Sequence, residues 1–217
     1  MRLLLSGFLA LCLCLGASVA LAQGDPGDQQ SGLDFFTMGM SPTDAKKMGA
    51  KPTGKNEMLA QFKWEDARWN TLLTFKDNEV VTVAMTTKDL TIPLVAAFLK
   101  EMDERLYAPF VIVRSDGSKS SEMFLAKEAA AGKDKSALDD ITTDELDTYA
   151  GQDAGSIQIM FCGQDNFETM TSEYKKTKDA DAAMATASDE IIYTMQINKK
   201  DDMLVIVYAT LKTLGDL

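Results

Sequence analysis

The sequence predicts an α+β fold, with short helices packed on antiparallel β-sheet and set out as two helix-then-strands blocks. Three observations carry that prediction. Residues 58–85 alternate apolar and polar side chains over several short runs, the period of half-buried strands. Residues 91–106 instead place Val95, Phe98, Leu99, Met102 and Leu106 at helical spacing, with charges opposite. Near the other end, "EIIYTMQI" and "MLVIVYATL" are two apolar runs of strand length joined by the charged loop "NKKDD".

Taken in order, the first 22 residues read as a secretory leader. Arg2 supplies the positive end, "LLLSGFLALCLCLG" the uncharged apolar core, and Ala20 and Ala22 an A-x-A cleavage site. Cys12 and Cys14 follow Leu11 and Leu13, whereas lipoprotein processing needs a small residue before the cysteine. Cleavage after Ala22, a periplasmic or secreted location and no stable membrane anchor are therefore expected. Residues 23–34, "QGDPGDQQSGLD", are Gly-, Pro-, Asp- and Gln-rich and are expected to be flexible.

The first block spans 35–86. Ser41 is suited to cap a short helix, Pro42 fits its first position, and Asp44 faces the positive helix end. Ala45 and Met48 give it a narrow apolar stripe, and Pro52 is expected to stop it. Strands are expected at about 58–64, 69–75 and 80–85, with Trp64 and Trp69 at the edge of the core.

The second block spans 88–217. After the helix capped by Thr91 come two strands around Asp116-Gly117, then an Ala-rich acidic segment with a helix break at Gly132. "SIQIMFC" reads as a buried strand and "NFETMTSEYKK" as a helix using Phe167, Met170 and Tyr174. "KDADAAMATASDE" has no decisive period.

Composition narrows the chemistry. The chain carries 22 Lys+Arg against 33 Asp+Glu, a net charge of −11, which disfavours nucleic acid and anionic membrane surfaces as partners. There is no histidine, so the usual general base, the commonest transition-metal ligand and every Ser-His or Cys-His pair are missing. No Gly-rich phosphate loop occurs. An enzyme is not expected; a carboxylate-based hydrolase is the form one would take. Of the three cysteines only Cys162 lies outside the leader, in an apolar run that predicts a buried, inert thiol. Asp179, Asp181, Asp189 and Glu190 lack the alternation and central Gly of a calcium loop. Met38, Met40 and Met48 are soft enough for Cu(I), yet methionines in this chain fall mostly at core positions. No cofactor or metal is expected.

The stretch "FFTMGMSPTDAKKMGAKPT", followed by the meander ending "LLTFKDNEVVTVAM", resembles the small outer-membrane assembly lipoproteins of the SmpA/OmlA (BamE) type. Gly39-Met40-Ser41 matches the family's helix start, Lys51-Pro52 its stop, and Phe75 with Asn78 its final hairpin. Ala50 stands where the family has Gly, and the lipid-anchor cysteine is lacking. The resemblance covers residues 35–86. It implies two short helices on a small antiparallel sheet, an architecture shared with β-lactamase-inhibitor-like proteins, and a module that binds proteins without chemistry. On that reading Phe35, Phe36, Met38 and Met40 are a candidate protein contact, unless they staple the helix into the core. The function expected is an exported, non-enzymatic module binding another envelope or secreted protein. A periplasmic small-molecule or metal-binding protein using the second block is the alternative.

Overall fold

Ser41 and Gly49 frame the first helix of the computed structural model, which describes residue 33, residues 35–116 and residues 118–215. The expected leader, and residues 23–34 apart from Leu33, lie outside the described residues. Leu33 itself is buried, although it lies within the segment expected to be flexible. Helix α1 (Pro42–Lys47) begins with Pro42 at its first position, and the Ser41 hydroxyl accepts the Asp44 N–H at 3.1 Å. It is stopped by Gly49, not by Pro52. Gly49 takes φ +92°, its N–H donates to Lys46 O at 3.0 Å, and the Ala50 N–H donates to Ala45 O at 3.0 Å. Those two bonds are a Schellman ending, and buried Ala45 and Ala50 are the apolar pair that usually accompanies it. Pro52 falls instead in β1 (Lys51–Pro52), a two-residue edge strand where its missing N–H costs no ladder bond.

The meander follows as β2 (Glu57–Trp64), β3 (Ala67–Lys76) and β4 (Glu79–Thr87). Both turns are two-residue loops with positive φ at each central residue, Glu65-Asp66 and Asp77-Asn78, which matches the right-handed twist of hairpin strands. Period-2 patterning sends Met58, Ala60, Phe62 and Trp64 inward from β2, and Ala67, Trp69, Thr71, Leu73 and Phe75 from β3.

Helix α2 (Ile92–Glu104) is capped by Thr91 and buries Leu94, Phe98 and Met102. It leads into β5 (Tyr107–Ser115) and β6 (Ser120–Phe124), whose turn is held by the Asp116 carboxylate accepting from the Ser118 and Lys119 N–H groups. The Ala-rich segment forms α3 (Leu125–Ala130) and a longer α4 (Lys135–Ala150), broken at Gly132 with φ +104°. After β7 (Ser156–Gly163) and α5 (Gln164–Thr177), the ambiguous segment becomes α6 (Ala180–Ala185), capped by Asp179. The hairpin β8 (Ile191–Asn198) and β9 (Met203–Thr210) and a last turn, α7 (Leu211–Gly215), complete the described chain.

All nine strands join one antiparallel sheet in the order β1-β2-β3-β4-β9-β8-β7-β5-β6. The architecture is thus α+β, as the residue patterns predict. The two blocks meet by main-chain bonding: β4 pairs with β9 from Thr82↔Ala209 to Thr87↔Leu204. The hydrophobic core is correspondingly one cluster, running from Phe36 and Trp69 to Ile159 and Ile206. β8 and β9 are buried on both faces, which explains why their sequences read as near-continuous apolar runs.

Candidate functional site

The aromatic approach to α1 packs inward. Phe36 is 1% exposed, and the Tyr208 hydroxyl of β9 donates to its carbonyl oxygen. Phe35 stacks on Phe62 with ring centroids 5.6 Å apart and meets Phe36 edge-on at 4.8 Å. Gly39 N–H donates to Val80 O at 2.9 Å and Val80 N–H to Met40 O at 3.0 Å, so the segment is bonded along β4. Phe36 is therefore withdrawn from the contact surface considered for it. Phe35, Met38 and Met40 are half-buried against the core. Trp64 and Trp69 are buried, with the Trp69 indole N–H donating to Trp64 O at 3.3 Å.

The other residues singled out are dispersed. Asp179 uses its carboxylate to cap α6, accepting from the Asp181 and Ala182 N–H groups. Among the described residues no three His, Cys, Asp or Glu side chains gather as a metal-sized group. Cys162 is buried on β7, and desolvation pushes its thiol up to about 12.

What the fold does assemble is a recess in the second block, a cavity of about 350 Å³ open to solvent. Its walls come from stretches far apart in sequence. Leu99, Met102 and Leu106 come from α2 and its exit, Tyr107, Ala108 and Pro109 from the start of β5, and Phe161 from β7. Ala129 of α3, Leu138, Thr142 and Leu146 of α4, and Gln164 and Phe167 of α5 close it. The α2 exit is the pivot. Leu106 takes φ +58°, its N–H bonds back to Asp103 O at 3.0 Å, and its own carbonyl accepts the Gln164 N–H at 2.8 Å. That last bond extends the β5–β7 ladder one rung past Tyr107↔Gly163 and so ties the exit of α2 to the start of α5.

Leu106, read from spacing as a core position of the helix, lies past the helix end and is 67% exposed on the lip. The left-handed turn at Leu106 ends the helical period before the stripe is complete. The Thr142 hydroxyl donates to Leu138 O at 3.0 Å, so its polar atom is satisfied along its own helix and the floor stays apolar.

Charge is confined to the rim. Lys135 at the start of α4 reaches Asp103 of α2 at 2.6 Å, and that bond raises the lysine above its ordinary pKa. Lys133 pairs with Glu128 at 3.2 Å. Asp139 and Glu168 complete the rim outside any ion pair among the described residues. Partial desolvation holds the Asp139 carboxyl above its usual range, against the opposing pull of Lys135. Sequence reasoning passed over this site, because its apolar members sit at positions that helix and strand periods assign to the core. The available signal was that α2 carries an apolar stripe wide enough to bury both Phe98 and Leu99, of which the fold fully covers only Phe98.

Compared with protein-family models, with curated proteins and with solved structures, the chain finds no match in any of the three. The arrangement on which a functional reading rests is thus the recess itself: an apolar floor and a charged rim.

Proposed function

We propose that the chain is an exported, non-enzymatic binding protein whose working site is the recess between α2, α4 and α5, taking a small ligand with an apolar body. The single observation that carries this is the cavity of about 350 Å³ with mostly apolar walls and charged groups only at the rim. It falls within the size range of small-molecule sites, and its composition is theirs: mostly apolar, with few polar groups to orient a guest. The absence of histidine from the whole sequence supports a role in binding over catalysis. The test is a two-dimensional NMR titration with a panel of small apolar amphiphiles. The reading expects shifts gathered at Leu99, Leu138, Phe161 and Phe167; a panel that moves none of these signals overturns it.

A second reading, a protein-binding module of BamE-like kind at residues 35–86, is favoured by half-exposed Met38 and Met40 beside α1. Of the two helices that this resemblance implies, the described residues before the meander contain α1. Its test is affinity capture from a crosslinked envelope extract with wild type and Met40→Asp in parallel. A partner lost specifically with the variant supports it, and equal recovery by both counts against it.

A further inference from the structure

Both lysines at the recess invite an anionic ligand, but neither is free to meet one. Lys135 is held by Asp103 at 2.6 Å and Lys133 by Glu128 at 3.2 Å, so these four charges sum to zero, with Lys135 also drawing on Asp139. What remains at the mouth is Asp139 from the second turn of α4 and Glu168 from the second turn of α5, both lining the same cavity. Neither belongs to an ion pair among the described residues; the nearest partner of Glu168 is the uncharged Gln164 amide at 3.5 Å. Below them the floor is Leu99, Met102, Leu138 and Phe161, with no charged side chain. The chain as a whole is negative, at −11, so its long-range field adds to the local one and draws cations to the mouth.

We infer that the recess selects a small organic cation with an apolar body, the body lying on the Leu99–Phe161 floor and the positive group at the rim that carries Asp139 and Glu168. The inference rests on the recess being the binding site, as proposed above, and adds the charge of what it takes. Both residues are exposed, so each carboxylate contributes modestly. Two of them, at typical surface ion-pair strength, give about a tenfold preference for a cation over its neutral counterpart at low salt. The preference shrinks as salt screens the mouth, while the apolar contribution does not.

Isothermal titration calorimetry of the purified chain with three matched probes tests it: 4-phenylbutylammonium, 4-phenylbutanol and 4-phenylbutyrate, at pH 7 and low ionic strength. The amine is expected to bind about tenfold more tightly than the alcohol, and the carboxylate most weakly. The double variant Asp139→Asn, Glu168→Gln is expected to bring the amine to the affinity of the alcohol and leave the alcohol unchanged. Thr143→Trp, an exposed position on the cavity wall, is expected to weaken the amine and the alcohol together. If the alcohol matches the amine, or the double variant keeps the preference, the charge selection is overturned while the recess remains a site. If no probe binds, or Thr143→Trp changes nothing, the recess reading falls and the inference falls with it.

Discussion

Arg114 of β5 and Glu145 of α4 meet at 2.7 Å, guanidinium Nε to carboxylate Oε2, with only 23% and 20% of their side-chain surfaces exposed. The pair ties the helix that walls the recess to the sheet beneath it. Because the pair is mostly shielded, either partner left alone keeps an uncompensated charge out of water. Glu145→Gln is expected to destabilise the fold by about 1–2 kcal/mol, with the larger part of a double cycle against Arg114→Met appearing as coupling. Urea unfolding of the four proteins measures this; additive single effects would show that the pair does not act as one.

Gly155 and Gly49 both take positive φ, but for different reasons, and alanine separates them. At Gly155 (φ +118°) an added Cβ would lie 2.0 Å from Ser115 O, just beyond the last rung of the β5–β7 pairing. At Gly49 (φ +92°) the same atom meets nothing within 4 Å. Gly49→Ala is expected to cost about 1 kcal/mol from backbone strain alone. Gly155→Ala should cost at least twice that, about 2–4 kcal/mol, because strand and loop must part. Chemical denaturation of the two variants gives the order, and equal losses would contradict it.

Cys162 supplies a pH dependence with a definite sign. Burial raises its thiol from an ordinary 9.0 to about 12, so the unfolded chain loses that proton first as pH rises. The contribution to stability is whole below pH 9 and is lost between about 9 and 12. Cys162→Ala is expected to lose less stability than wild type over that alkaline window. In the native protein at pH 8 the thiol should resist a disulfide reagent such as Ellman's and react only on unfolding; rapid stoichiometric labelling without denaturant would refute this.

Phe36→Ala is expected to destabilise by about 3–5 kcal/mol, as for any large aromatic removed from a packed core. Phe35→Ala, half-exposed and stacked on Phe62, should cost clearly less. Thermal unfolding distinguishes them, and a Phe36 variant as stable as wild type would return that residue to the surface.

The elements whose faces differ were readable in the residue order. The meander, α2 and the β8–β9 hairpin stand within a few residues of where alternation and helical spacing put them, since each buries a face defined by its own sequence. The end of α1 was misplaced because Pro52 is a visible stop signal, whereas the Schellman ending at Gly49 depends on two backbone bonds. The recess was illegible for a deeper reason. Leu99, Leu138 and Phe161 are apolar residues at core-like positions, and whether such a residue is covered or lines a cavity depends on how far a different segment approaches. Leu106 shows the limit most clearly: its spacing continues the stripe of α2, but a left-handed backbone at that residue turns it onto the lip.

The pairing of β4 with β9 also sets an order of events for the growing chain. Residues 82–87 find their neighbours only when residues 204–209 are present, so the meander waits with a bare edge through the synthesis of everything between. Such distant pairing makes for slow closure and for a nascent chain exposed to wrong partners in the meantime. A chain halted at residue 202 would carry two open seams, at β4 and at β8, and nothing of its own to close either.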